Sequence, residues 1–178
     1  GLALCAFAVG AARGMVYVRS EYPLALRRMQ QAVAEATAAG ILGPASADFP
    51  LAIDVSVVTG HGSYVCGEET ALLNAIEGRR GEVRIRPPYP SAVGLHGQPT
   101  VVNNIETLVN IPWIAAQGAA AYRQSGTEHT PGTKAICLNH GFAHPGVVEV
   151  EFGTPLRRVI EEAGGGSHDG KPLLAVVL

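Results

Sequence analysis

The stretch from Leu51 to Glu77 constrains this chain more than any other. An apolar run, Leu51 to Val58, has the composition of a buried strand. It is followed by Thr59-Gly60-His61-Gly62-Ser63-Tyr64-Val65-Cys66-Gly67 and then by a helical pattern from Glu68 to Glu77, with Ala71, Leu72, Ala75 and Ile76 on one face. Strand, glycine-rich turn and helix in that order belong to the α/β class, whose ligands sit beyond the carboxyl ends of the strands. Gly60, Gly62 and Gly67 have the residue type that tolerates positive φ and close backbone approach. The free N–H groups opening the helix suit a phosphate or a polarised carbonyl. Glu68 and Glu69 in the first turn are also what a helix dipole favours with no ligand at all.

The flanking segments extend the same architecture. Gly1 to Ala12 reads as a small-residue helix, Met15 to Arg19 as a strand, and Pro23 to about Ala39 as an amphipathic helix closed by Gly40. Strand, helix and strand imply a parallel pair joined by a crossover. Gly78 to Pro99 is a long loop rich in Gly, Pro and Arg, and Arg79, Arg80, Arg84 and Arg86 give it a positive face. That face is either a solvated basic surface or a phosphate-facing one. Asn103 and Asn104 then precede a helix, Ile105 to about Ala116, where one Asn suffices as N-cap. Pro112 and Trp113 are expected to bend or cap that helix.

The string Tyr64-Val65-Cys66-Gly67-Glu68-Glu69-Thr70-Ala71-Leu72 carries a resemblance that continues through Glu77-Gly78, Gly81, Arg86-Pro87-Pro88-Tyr89-Pro90 and Gly94-Leu95. It closes on Gly97-Gln98-Pro99-Thr100-Val101-Val102-Asn103-Asn104-Ile105-Glu106-Thr107. These residues resemble the family of flavoprotein subunits of respiratory complex I, which includes the flavin- and NAD-binding subunits of NAD-reducing hydrogenases and NAD-dependent formate dehydrogenases. The resemblance implies a Rossmann-like parallel sheet, here incomplete, that binds FMN, followed by a small ubiquitin-like β-grasp domain. It implies hydride transfer between nicotinamide C4 and flavin N5, with single electrons passed on to a 4Fe-4S cluster. On the flavin side it implies Tyr64, Gly67, Glu68, Glu69, Val102, Asn103, Asn104 and Thr107. On the dinucleotide side it implies Glu69, Tyr64, Arg86 and Tyr89. Tyr64 by itself reads equally well as a core residue; the resemblance sets it near the flavin and nicotinamide rings. No general acid or base is assigned, because hydride transfer does not require one.

The chain departs from the family in instructive ways. Arg86 stands where the family usually has Lys, and Tyr89 where it usually has Phe, so charge and aromatic face are kept. Gly60-His61-Gly62-Ser63 replaces the usual alanines around the glycines. The family's first glycine-rich loop would lie upstream and its four-cysteine iron–sulfur domain downstream. The chain is therefore expected to be an internal fragment, inactive alone, with the cluster in the missing downstream part.

Residues 1–125 are read as the C-terminal part of the FMN/NADH-binding α/β domain, and 132–178 as a soluble-ligand-binding β-grasp domain. Within the second part, Thr133–Asn139 and Gly146–Val150 are expected strands, Thr154 or Pro155 to Ala163 a short helix, and Leu173–Leu178 a further strand. The rival readings are a non-catalytic scaffold and a β-grasp ligand-binding module within a redox complex.

Composition closes other avenues. Thirteen basic against fifteen acidic residues leave no footprint for nucleic acid. No segment is long enough to insert in a bilayer. Cys5, Cys66 and Cys137 are too far apart for a metal motif and suit a reducing, cytoplasmic setting, peripheral on the cytoplasmic side where the parent complex is membrane-bound. Cys66 reads as core and His140 with His144 as loop residues, so no metal site is assigned. The expected partners are NAD(H) and the other subunits of a multi-subunit NAD-linked redox enzyme.

Overall fold

The computed structural model describes residues 1–45, 52–60 and 64–176. Leu51, His61, Gly62, Ser63 and the last two residues, to which the sequence reading also assigned roles, lie outside the described residues. The chain divides into two compact units, Gly1–Pro112 and Trp113–Leu178.

The first unit begins with α1 (Leu2–Val9), which stops at Gly10 in the left-handed conformation (φ 70°). Strand β1 (Arg13–Arg19) pairs in parallel with β2 (Asp54–Gly60), in a register running from Arg13 opposite Asp54 to Arg19 opposite Gly60. The crossover between them contains α2 (Pro23–Ala38), with Pro23 in its first turn where no N–H is needed. Both strands are displaced from their sequence-based limits. Ile53, fully buried, bridges back to Gly43 in antiparallel fashion before the ladder begins, through Gly43 N–H to Ile53 C=O (2.8 Å) and Ile53 N–H to Gly43 C=O (3.0 Å). The ladder therefore starts at Asp54 and runs on to Gly60, which in turn draws Arg13 and Gly14 into β1.

Beyond β2, Tyr64–Gly67 forms one turn of 3-10 helix and leads into α3 (Glu69–Ile76). The sequence reading put Ala71, Leu72, Ala75 and Ile76 on the buried face. The fully buried residues are Thr70, Ala71 and Leu73, while Leu72, Ala75 and Ile76 are only half-buried. The helix is covered from more than one side, by β2, by the Tyr64–Gly67 turn and by the 3-10 turn Leu95–Gly97, so its interior is not a single stripe.

Residues 78–99 form a loop with no regular structure apart from Leu95–Gly97. Gly94 is buried where the loop closes; a Cβ there would come within 2.5 Å of Thr100 Oγ1 and 2.8 Å of Pro90 O. Helix α4 (Ile105–Gln117) is not ended at Pro112, so of the expected bend or cap the cap is not found. One lost backbone hydrogen bond is tolerated when intact helical turns stand on both sides.

The second unit carries α5 (Ala119–Tyr122) and an antiparallel hairpin of β3 (Thr133–Leu138) and β4 (Gly146–Glu151), with Thr133 opposite Glu151 and Leu138 opposite Gly146. Helix α6 (Leu156–Arg158) runs into a π-helical turn, Val159–Ala163, that buries Val159. Leu173–Val176 does not form the expected strand, and Leu174 is 98 % exposed. A strand needs a neighbour for its backbone groups, and among the described residues the ladder in this unit consists of β3 and β4 alone. The fold is thus mixed α/β with a small parallel sheet and a second small sheet.

Because Leu73 is only 1 % exposed, Leu73→Ala should cost about 2–5 kcal/mol through lost burial and a residual cavity. Urea unfolding of the two proteins measures this directly. A cost below about 1 kcal/mol would show that α3 is not the core element assigned here.

Candidate functional site

At the carboxyl end of β2 a cavity of about 550 Å³ opens, lined by Thr59, Gly60, Val65, Cys66, Arg79 and Arg80 among others. Its size falls within the range of small-molecule sites, and its place at a strand end is where α/β folds hold ligands. Gly60 is not needed for positive φ, and neither is Gly67, contrary to the sequence reading. Gly60 is needed for close approach, because a Cβ there would collide with the Tyr17 ring. The Tyr17 hydroxyl is buried without a well-formed hydrogen bond. Burial first, then the neighbouring Cys66, raise its pKa. Cys66 is buried against Gly81, whose Cβ would stand 2.5 Å from the Cys66 Sγ, so its packing role agrees with the sequence reading.

The turn after β2 leaves Tyr64 88 % exposed, which excludes the core reading of that residue. Glu68 is the N-cap of α3, just outside the helix. Its Oε2 accepts from Thr70 N–H (2.9 Å), Ala71 N–H (2.9 Å) and the Thr70 hydroxyl (2.6 Å). Its Oε1 lies 3.3 Å from Arg86 Nη2, and Arg86 Nη1 is 2.6 Å from Glu69 Oε1. Burial opposes ionisation of Glu68, but the hydrogen bonds from Thr70 and Ala71 and the charge of Arg86 outweigh it, leaving the pKa below the ordinary value. Glu68, expected on the flavin side, and Arg86, expected on the dinucleotide side, are thus joined in one ion-pair cluster with Glu69.

The open positive face expected of the loop is not found. Arg79 lies 3.5 Å from Glu77, Arg80 lies 3.2 Å from Glu82, Arg84 lies 2.9 Å from Glu77, and Arg86 spans Glu68 and Glu69. Each guanidinium has found a carboxylate within reach along the chain or on α3, because unpaired charge close to a protein surface gains by doing so. Tyr89 stands out from the same loop, largely exposed.

The second group of expected residues hydrogen-bonds elsewhere. Asn104 Oδ1 accepts from Glu106 N–H at 2.8 Å, the N-cap expected of one Asn. Asn103 Nδ2 lies 3.5 Å from Cys5 Sγ, so it leans on α1. Asn103, Asn104 and Thr107 are exposed and Val102 is half-buried. Among the described residues no cluster of His, Cys, Asp and Glu is placed to hold a metal ion, and no helix is long and apolar enough to cross a membrane.

Sequence reasoning gave Thr70, Asn74 and Glu77 no contact of their own, and Arg84 only a share in the loop's positive face. The first three recur at i, i+4 and i+7, a polar stripe that looks like a solvated helix face. In the structure it is the face to which the loop is bound.

A parallel strand–helix–strand unit with a cavity at the strand end places this part of the chain in the α/β class. Residues 1–113 match the family described as the Nuo51 FMN-binding domain, and the chain belongs to that family. It is 43 % identical over 177 residues to an NADH-quinone oxidoreductase subunit of Rhizobium meliloti (strain 1021), covering 99 % of this chain and 42 % of that protein. It is 43 % identical over 175 residues to the HndC subunit of the NADP-reducing hydrogenase of Solidesulfovibrio fructosivorans, covering 98 % of this chain and 36 % of the relative. The crystal structure of an NAD+-reducing [NiFe]-hydrogenase in the H2-reduced state superposes with a TM-score of 0.81 at 36 % identity, over 94 % of this chain and 28 % of that one. The chain thus spans less than half the length of these relatives.

Glu77 is held like Glu68. Burial opposes its ionisation, but the His96 N–H, the hydrogen bond and charge of Arg84, and the charge of Arg79 lower its pKa overall. A carboxylate with a depressed folded pKa contributes stability above its unfolded pKa and loses it as the pH falls through the folded one. Melting temperature should therefore fall as the pH drops below about 4.3, the ordinary glutamate value. In Glu77→Gln that fall should be shallower; an unchanged slope would remove Glu77 from the acid-labile set.

Proposed function

We propose that this chain is the central part of the flavoprotein subunit of an NADH:acceptor oxidoreductase, an NADH dehydrogenase-type enzyme that uses FMN and NAD. The observation that carries the reading is the meeting of Glu68, Glu69 and Arg86 beside the exposed Tyr64, at the strand end of a family-matched α/β unit. The residues present fit a flavin nucleotide and a dinucleotide. None of the residues assigned to either ligand lines the cavity of about 550 Å³ beside β2, so the fit rests on the Glu68, Glu69 and Arg86 cluster and on the open Tyr64 and Tyr89 side chains.

Tyr64, Gly67, Glu68, Glu69, Val102, Asn103, Asn104 and Thr107 would hold the FMN, and Glu69, Tyr64, Arg86 and Tyr89 the dinucleotide. Bound FMN would supply hydride exchange with the nicotinamide and single-electron delivery to a 4Fe-4S cluster elsewhere in the longer protein. The chain's own contributions are positional. Glu68 orders the first turn of α3. Arg86 offers a planar guanidinium suited to phosphate once it leaves its carboxylates. Tyr64 and Tyr89 offer open aromatic faces for stacking on planar rings.

Within this reading, residues 1–125 form the C-terminal part of the Rossmann-like FMN/NADH domain and 132–178 a β-grasp domain. The β3–β4 hairpin followed by α6 supports the second assignment. The partners are the remaining subunits of a multi-subunit NAD-linked redox complex, on the cytoplasmic side.

The test is FMN binding, followed by flavin fluorescence, in the chain extended upstream to the length of its relatives. Tight binding is expected, weakened about tenfold or more in Asn104→Ala, which is the loss of roughly one charged or well-placed hydrogen bond. Asn104→Ser keeps the helix cap and separates cap loss from cofactor contact. Absence of FMN binding in the extended wild type would overturn the proposal.

A further inference from the structure

The polar stripe of α3 is not a solvated face. Thr70 Oγ1 accepts from Arg84 N–H at 2.8 Å, and Asn74 Oδ1 accepts from Arg84 Nε at 2.9 Å. Glu77 Oε2 lies 2.9 Å from Arg84 Nη2, an ion pair of a buried nitrogen whose line of approach is bent away from an ideal hydrogen bond. The fourth contact crosses the loop: Arg84 Nη1 donates to Gly94 C=O at 3.2 Å. The same helix face holds the loop on either side of Arg84, through Asn74 Nδ2 to Glu82 C=O (2.7 Å) and His96 N–H to Glu77 Oε1 (2.8 Å). Arg84 thus ties the outgoing limb, the returning limb and the helix together, with Glu77 at the helix end sharing part of that task. Its side chain is 25 % exposed, against 72 % for Arg79 and 88 % for Arg80.

Between those two tethers, at Arg84 and Gly94, lie Arg86 and Tyr89. We propose that Arg84 is the positioning residue that fixes the 84–94 segment on α3 and so presents Arg86 and Tyr89 to the dinucleotide. The inference deepens the functional reading above and rests on it for the dinucleotide. Arginine suits the task because three separate acceptors lie around one planar, always-charged group. A lysine has one charged nitrogen and cannot reach Asn74, Glu77 and Gly94 together. Arg84 is the less exposed point of this stretch, since Ile85 and the residues after it as far as Tyr89 are exposed.

Two measurements test this in the chain extended to the length of its relatives, comparing wild type, Arg84→Lys and Arg84→Gln. Backbone hydrogen exchange should rise over residues 85–94 in both variants and stay unchanged over β1 and β2. With NADH and ferricyanide as the probe pair, KM for NADH should rise about fivefold or more while kcat changes by less than twofold, the signature of lost ground-state positioning. FMN affinity should be retained. The proposal is overturned if Arg84→Lys exchanges and binds NADH like wild type. It is also overturned if exchange rises throughout the first unit and FMN affinity falls in parallel, which marks a general stability role. A wild-type chain that holds FMN but takes up no NADH overturns the dinucleotide role even if the loop proves anchored. Failure to hold FMN at all strikes at the functional reading itself.

Discussion

The carboxylate of Glu68 is the point on which the first unit turns. One oxygen gathers two backbone N–H groups and a hydroxyl at the start of α3, while the other meets Arg86 from the far side of a long loop. Hydrogen bonds to an ionised group contribute about 1.5–3 kcal/mol each, more than neutral ones. A single side chain therefore stabilises the helix N-terminus and draws in the loop that carries Tyr89. Remove that carboxylate and the Thr70 and Ala71 N–H groups at the helix start lose their cap.

The charge distribution of the loop follows from the same logic. Seen as composition, four arginines in eight residues make a positive surface. Folded, they are matched by Glu68, Glu69, Glu77 and Glu82, so the surface presented in the free protein is close to neutral. An anion arriving at Arg86 must compete with two carboxylates. This competition favours ligands that bring their own replacement contacts for Glu69, and it disfavours free phosphate. The exposed pairs of Arg79 and Arg80 contribute little, whereas the partly buried Arg84–Glu77 pair is the structural one.

Much of the fold and of the site could be read directly. Pro23 at the start and Gly40 after the end delimit α2, the apolar run into Thr59 marks β2, and Glu68 to Glu77 marks α3 within one residue at each end. The family string named Glu68, Glu69 and Arg86 one by one; that Arg86 pairs with both glutamates is a feature of the fold. The misreadings share one cause. Leu73, the loop arginines and Leu173–Val176 each depend on what lies alongside them, and periodicity carries no information about that.

The amino-acid sequence alone determined the element order, the α/β class, the family string and the residue types available to a flavin and a dinucleotide. These follow from local propensity, glycine and proline placement and side-chain chemistry, all of which act over a few residues. Tertiary structure alone decided that Thr70, Asn74 and Glu77 face the loop rather than water, that Arg84 is held on them, and that Asn103 turns to Cys5. Those outcomes require groups far apart in the chain to compete for the same partners, and the winner is set by burial and geometry that no local pattern encodes.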